Sequence, residues 1–532
     1  MRSMISRNVR KLFILVCALL PLCVFGFAVE KITNGEGNTI KKVNDDFCIR
    51  GEFYGEEFAV NPWLNEEDNK YYFFLPEYLQ TEVDFGDVPN MVEYKQIILS
   101  DIPCVSIQTE SGTLDAIRAS KDNQENIEML LLTKEDRDIG GVLQGTIKAR
   151  GNASFLAPRY KKSYTIELEE AIEMCDMSEG KEWLLLAHYY DDTHLRDYMT
   201  FDLARQLGMN YVPDGKFVNL YVNGDFQGIY FLCEKIGISS ERLNIRNLEE
   251  INQEKLPNEV LKEYPYAMDG IRGGQNVIIE KGYIANDATT DITGGYLLEL
   301  EWVKERYDEE NSGFTSANNQ SVVIKSPKYA TYGQVSYIKS RYQLFEDALD
   351  KSIETGTEEY LQYIDLDSFV NKYLIEEISK NMDANFSSQF LYKDSDLTDG
   401  KFYAGPVWDY DRAYENKVDD EDNKGADKFW VNEGRLGFSF WKKLYSTSIF
   451  NERAKEIYNM KAAPVLQQYL DTDIWSWERE IHDSIIADMF RYRGEYEIEM
   501  NEEERLSQEM NHLVEFLSER KVFLDTEWGD YE

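Results

Sequence analysis

Between Asn381 and Tyr414 the chain reads NMDANFSSQFLYKD, a short polar turn, then GKFYAGPVWDYDRAY. This segment restricts the fold more than any other. Upstream, Asp367 to Met382 carries Val370, Leu374 and Ile378 on one helical face, so a helix delivers the chain to Asp383. Phe386 to Lys393 and Lys401 to Trp408 are strand-like and flank Asp394 to Gly400, which predicts a hairpin. The hairpin returns the chain to its starting edge and brings Asp409 and Asp411 toward Asp383. On strand alternation Asp409 and Asp411 share a face. Two carboxylates that close repel each other, and a cation between them relieves the repulsion.

Strand signals dominate residues 96–330. Tyr164, Ile166 and Leu168 alternate with Thr165 and Glu167; Val218, Leu220 and Val222 alternate with Asn219 and Tyr221. Asn223-Gly224 then makes a tight turn into Phe226 to Leu232. One helix interrupts these strands. Asp192 or Thr193 can cap it, Leu195, Met199, Leu203 and Leu207 repeat every four residues, and Gly208 ends it. From 331 onward helices prevail, which makes 331–450 a helix-rich lobe and 451–532 a helical extension. A small β-rich, aromatic leader occupies 29–95. The whole is an α+β protein with a cleft between a strand-rich and a helix-rich half.

Residues 1–28 read as a secretory signal peptide: Arg2, Arg7, Arg10 and Lys11 precede the apolar run Leu12 to Val24, and small residues follow. An uncleaved membrane anchor is the alternative. Both place the protein outside the cytosol, secreted or on a cell surface. The formal charge of −41 argues against nucleic acid as a partner, because an acidic surface repels phosphate backbones. Cys17 and Cys23 fall in the signal peptide; Cys48, Cys104, Cys175 and Cys233 suit either two disulfides or core thiols. Neither the cysteines nor the four histidines have metal-ligand spacing. A Walker A loop is missing, since Thr146 stands where its lysine would be.

What the chain does offer suits phosphoryl transfer, which needs a cation on the phosphates, carboxylates on Mg2+, and a carboxylate to orient the acceptor hydroxyl. Lys162 shares strand parity with Tyr164, so its amine starts on an apolar face and needs an anion such as phosphate or Glu234. Arg150 precedes Gly151 at a turn that is equally a structural corner and a phosphate-binding loop. Asp383 occupies a loop position open to a general base, and Asp409 and Asp411 are metal candidates. Asp192 and Asp197 at the start of the earlier helix read as capping or solvated charges, and Arg196 reads as structural, pairing with a carboxylate between the lobes.

Together these segments resemble the CotH kinase family, the spore-coat protein H group of atypical kinases. The likeness rests on RGNASF and KKSYTIEL within 150–168, WLLLAHYYDDTHLRDYMTFDLARQLG at 183–208, FVNLYVNGDFQGIYFLCEKI at 217–236, GGYLLELE at 294–301, and NMDAN with GPVWDYDRAY. It covers about residues 100–450. The resemblance implies a reduced protein-kinase-like two-lobe fold, strand-rich before helix-rich. It also implies ATP with Mg2+, and transfer of the γ-phosphate to Ser or Thr of a protein acceptor on a spore coat or cell surface. Lys162 then corresponds to the phosphate-binding lysine, Asp383 to the catalytic aspartate and Asp409 to the metal-binding aspartate. Conventional kinases carry a metal-binding asparagine five residues after the catalytic aspartate. Ser388 stands there in this chain, with Asn385 nearer, and both are candidate ligands for a second metal. Two readings compete: an inactive structural or adhesive surface protein that keeps the fold, and a glycosidase using Asp383 and Asp409 as acid and base.

Overall fold

The computed structural model describes residues 102–529, except 134–140, 157–160, 256–261, 273–274, 285, 302–303, 385–386, 417–423, 433–439 and 493–499, and the backbone of five strands upstream. The segment read as a signal peptide, Cys48 and Asn385 lie outside the described residues. Among the described residues no helix is long and apolar enough to cross a membrane.

The upstream strands form two small sheets. β1 (Ile49–Phe53) pairs antiparallel with β2 (Glu56–Val60), and β3 (Trp63–Asn65), β4 (Lys70–Pro76) and β5 (Lys95–Ser100) form the other. Beyond them the chain divides into two compact units whose segments interleave along the sequence: 1–194 with 214–235 and 475–510, and 195–213 with 236–474 and 511–532.

The first unit is built on a closed barrel of β6 (Cys104–Thr109), β7 (Gln124–Leu132), β8 (Leu143–Arg150), β9 (Ser163–Met174), β10 (Met177–Leu186), β11 (Gly215–Val222) and β12 (Asp225–Glu234). The barrel order is β10-β12-β11-β6-β7-β8-β9, antiparallel apart from β6 against β11. The predicted alternation sets its interior. Tyr164, Ile166 and Leu168 are buried together with Val105, Ile107, Met129, Ile147, Trp183, Val218 and Leu220. Closure leaves no unpaired edge in the barrel, and the interior is filled by alternate side chains from every strand.

The second unit carries the sheet β13 (Lys262–Arg272), β14 (Gln275–Ile284), β15 (Tyr296–Leu300), β16 (Gly313–Thr315), β17 (Ser321–Ser326), β18 (Gln389–Lys393) and β19 (Phe402–Ala404), in the order β13-β14-β16-β17-β15-β18-β19. Its longer helices include Tyr332–Thr355, begun by a Thr331/Gln334 capping box, and Leu366–Ser379, capped by Asp365. Val370, Leu374 and Ile378 are all fully buried, as their spacing requires.

Two expectations need correction. The α+β class holds, but the reduced protein-kinase-like two-lobe fold does not. A closed seven-stranded barrel takes the place of a small open sheet, and the predicted hairpin joins a second seven-stranded sheet whose other strands come from 262–326. Alternation reports which face of a strand is buried. It does not report which distant strand completes the sheet, so closure of β10 on β12 left no local signal. The hairpin is also shorter than expected. Its paired residues are Leu391 with Ala404, Tyr392 with Tyr403 and Lys393 with Phe402. Asp409 and Asp411 therefore stand in the turn beyond the strand, where strand parity does not orient them.

Candidate functional site

The helix Leu366–Ser379 ends on Lys380, which takes a left-handed φ of 46°, and the chain turns at once into Asp383. Asn381 Oδ1 accepts the Asp383 backbone N–H at 3.1 Å, which fixes the start of that turn. After β19 the chain enters a second turn, in which Asp409 has a φ of 70°. Ser388, itself at φ 56° and buried, donates its hydroxyl to Asp409 Oδ2 at 3.0 Å. These contacts bring two predicted site residues, Ser388 and Asp409, into direct contact.

Asp383 belongs to the same cluster. Burial, then the negative charge of Asp409, pushes its carboxyl up to about 7; Arg306 and Arg412 pull it down, and Glu376 adds to the rise. A carboxyl that titrates near neutrality is suited to accept a proton from a hydroxyl. Asp411 sits half-buried two residues on, where its carbonyl accepts from Asn416 Nδ2 at 2.5 Å.

Five more charged residues, Glu299, Glu301, Arg306, Glu310 and Lys325, form a linked group in the same unit. Glu299 on β15 and Glu301 just beyond it point to the same side as Leu297 by strand alternation. Leu297 packs with Phe390 and Tyr392, and Trp408 packs against that cluster. Glu299 is held well above the usual carboxylate range by burial; Lys325 opposes the shift, and Glu310 and Asp409 reinforce it. Lys325 Nζ lies 3.2 Å from Glu299 and 2.6 Å from Glu310. Arg306 reaches Ser387 Oγ at 3.4 Å and Glu301 at 3.7 Å. The alternation of Tyr296, Leu298 and Leu300 against Leu297, Glu299 and Glu301 could have flagged the acidic face. The contribution of Lys325 and Arg306 depends on pairing across the sheet.

Among the described residues, no group of three His, Cys, Asp or Glu side chains is gathered to hold a metal ion unaided. Mg2+ ordinarily takes one or two carboxylates and completes its octahedron with water and phosphate oxygens. Asp409, with the Ser388 hydroxyl against it and the Asp383 carboxyl close enough to feel its charge, fits that donor set.

The barrel unit holds the other predicted residues. Arg150 ends β8, and Gly151 has φ 101°; a Cβ there would stand 2.3 Å from Ser154 Oγ, so the corner admits only glycine comfortably. Lys162 is buried just before β9, where its Nζ donates to the Phe155 carbonyl at 2.7 Å and lies 5.5 Å from that ring. Glu234, fully buried at the end of β12, accepts the Asp214 N–H at 3.2 Å. Lys161, the residue before Lys162, is also buried and charge-paired. Lys161 Nζ meets Asp488 Oδ1 at 2.6 Å, both buried, with His194 Nε2 4.0 Å from the other oxygen. Asp488 Oδ1 also accepts the Ile229 N–H at 3.2 Å. The three cysteines described, Cys104, Cys175 and Cys233, are buried free thiols.

At the start of the helix Arg196–Leu207, Arg196 is buried at 0% exposure, which agrees with a structural role, whereas Asp197 at 4% is not solvated and Asp192 pairs with Arg505 at 2.6 Å rather than capping the helix.

A sequence profile described as CotH kinase protein matches residues 147–524. It reaches further toward the C-terminus than the motifs at 150–414 that carry the resemblance. No curated protein matches the chain.

Proposed function

Since the chain belongs to the CotH kinase protein family, we propose that it transfers the γ-phosphate of ATP, with Mg2+, to a Ser or Thr hydroxyl of a protein acceptor outside the cytosol. The observation that carries this reading is the pair Asp383 and Asp409, drawn together by two turns, with Asp383 titrating near 7.

In this reading the ionised Asp383 carboxylate takes the proton of the acceptor hydroxyl as its oxygen bonds to phosphorus and the bond to the ADP oxygen breaks. Asp409, braced by Ser388, holds the divalent ion, which when bound neutralises phosphate charge. Arg306 limits how far the Asp383 carboxyl rises, so that an ionised fraction persists at neutral pH. Lys162 keeps the phosphate-binding role given by the family resemblance, with Arg150 and Glu234 as its neighbours in that role; Lys162→Met is expected to raise KM for ATP. Asp411 is a further metal ligand in the proposal. The basic, then apolar, start of the chain supports export, and a spore-coat or surface protein is the proposed acceptor.

The test is incubation of the purified chain with radiolabelled ATP, with and without Mg2+, in the presence of native coat and wall proteins. Mg2+-dependent labelling that disappears in Asp383→Asn and Asp409→Ala is the expected result. No labelling together with no ATP binding by calorimetry overturns the proposal. One observation favours a second reading, a nucleotide-binding surface protein without turnover: Ser388 stands where conventional kinases have a metal-binding asparagine. Binding of ATP with no transfer, unchanged in Asp383→Asn, would select it.

A further inference from the structure

The helix Arg196–Leu207 presents one face to the whole turn that carries Asp409. Residues 197, 200, 201 and 204 share that face at helical spacing. Asp197 Oδ1 accepts the Tyr410 backbone N–H at 2.6 Å. Phe201 packs against Trp408, with ring centroids 6.2 Å apart. Thr200 Oγ1 bonds Tyr414 Oη at 2.8 Å. The residues on either side of Asp409, and the far end of the turn, are thus all held by one rigid helix.

The turn needs holding, because Asp409 is a non-glycine residue at φ 70°, and Tyr414 and Glu415 are also left-handed at 53° and 58°. Such conformations persist where surrounding contacts over-determine them. The amide of Tyr410 is the group whose direction follows from the Asp409 backbone angles. Relaxation of Asp409 to an ordinary conformation would swing that N–H away from Asp197 and leave a buried carboxylate short of a charge-assisted bond. A second anchor acts on the same residue. Tyr410 Oη is 2.7 Å from Lys372 Nζ and 2.5 Å from Glu376 Oε1, and Lys372 and Glu376 form a fully buried ion pair one turn apart in the helix Leu366–Ser379. That helix also leads into Asp383, so one clamp ties the backbones of both site carboxylates.

We propose that Asp197 is a positioning residue for the Asp409 carboxylate: by gripping the amide of Tyr410 it keeps Asp409 in the left-handed conformation from which its side chain meets Ser388 and faces Asp383. Asp197 touches neither substrate nor metal in this role. The inference rests on the proposed function only where it speaks of a divalent ion; the clamp itself acts on the two aspartates.

Two readouts on the full chain separate this role from a purely structural one. The first is binding of Mn2+, a spectroscopic substitute for Mg2+, followed by electron paramagnetic resonance. The second is the pH at which Asp383 titrates, read from the pH dependence of the difference in melting temperature between each background and the same background carrying Asp383→Asn. Asp197→Ser shortens the side chain so that it no longer reaches the amide, yet leaves a polar group in the buried site. It is expected to weaken Mn2+ binding about ten-fold or more and to move the Asp383 midpoint from about 7 down toward the ordinary carboxylate range. Asp197→Asn retains an oxygen acceptor and should restore both readouts to near the wild-type values. A folded Asp197→Ser chain with wild-type Mn2+ affinity and an unmoved midpoint overturns the inference. Should Asp197→Ser fail to fold, Asp197→Glu, which keeps the charge but moves the acceptor by one methylene, is expected to shift the same two readouts in the same direction; no shift overturns the inference equally. If wild type binds no Mn2+, the metal part of the proposed function fails, and the titration midpoint still decides the clamp.

Discussion

Replacing Asp383 with Asn removes a group whose ionisation is unfavourable in the folded chain. Its carboxyl rises from 3.8 to about 7 through burial and the charge of Asp409. Below about pH 4 the side chain is protonated whether folded or unfolded, and it contributes nothing. As pH rises the unfolded chain ionises first while the folded chain still holds the proton, so wild type loses stability progressively until about pH 7, above which the loss is constant. Three pKa units at about 1.4 kcal/mol each give a ceiling near 4 kcal/mol. Asp383 is only partly buried and Asp409 is exposed, so solvent screening reduces the expected gain to about 1–3 kcal/mol. Asp383→Asn is therefore expected to match wild type near pH 4 and to exceed it in stability by that amount above pH 7, while losing phosphate transfer. Thermal and urea denaturation across pH 4–8 measure the gap without nucleotide. A gap that stays flat with pH, or that closes as pH rises, refutes the placement of two interacting carboxylates. Mg2+ should narrow the gap, since a bound cation favours the ionised form.

Asp488→Ala strands the buried Lys161 ammonium and should cost about 3–5 kcal/mol by denaturant titration; Gly228→Ala should also destabilise the barrel unit, because φ is 101° and the added Cβ would lie 1.8 Å from Asp488 Oδ1. Arg520 is fully buried and donates to the Glu377, Ala426 and Lys428 carbonyls as well as to the Glu377 carboxylate, so Arg520→Ala should cost a similar amount, and a chain ending near residue 450 should fail to fold cooperatively. His482 is raised to about 10, chiefly by Glu478 and then Glu503. Its contribution is complete below the unfolded value of about 6.5 and is lost as pH rises through 10, so the difference in melting temperature between wild type and His482→Gln should be largest at pH 6 and vanish by about pH 11.

Much of the local structure was readable in the residues. Periodicity gave the helices at 196–207 and 366–379, and alternation identified the inward faces of β9 and β11. The turn at Asn223-Gly224 joins β11 to β12 as its sequence demands. The neighbourhood of Asp383, Ser388 and Asp409 was also legible, because a helix end and a hairpin fix it within about 30 residues of chain. Other features were not. Asp197 looked like a solvated helix-start charge, and its burial depends on a turn more than 200 residues away. Strand parity sets Lys162 apart from Lys161, but the pairing of Lys161 with Asp488, which arrives from the far end of the chain, has no local signal.

The sequence alone therefore determined the α+β class, the buried faces of individual strands and helices, and the family, because these depend on hydrophobic period and on motifs that each lie within a few tens of residues. Tertiary structure alone decided the closed barrel, the charge partners of Glu299 and Asp383, and the clamp on Asp409. Each arises where segments far apart in the chain meet, and burial there sets both the carboxyl ionisation and the backbone angle. Hydrophobic pattern records whether a side chain goes inside, but not which distant charge it will find there.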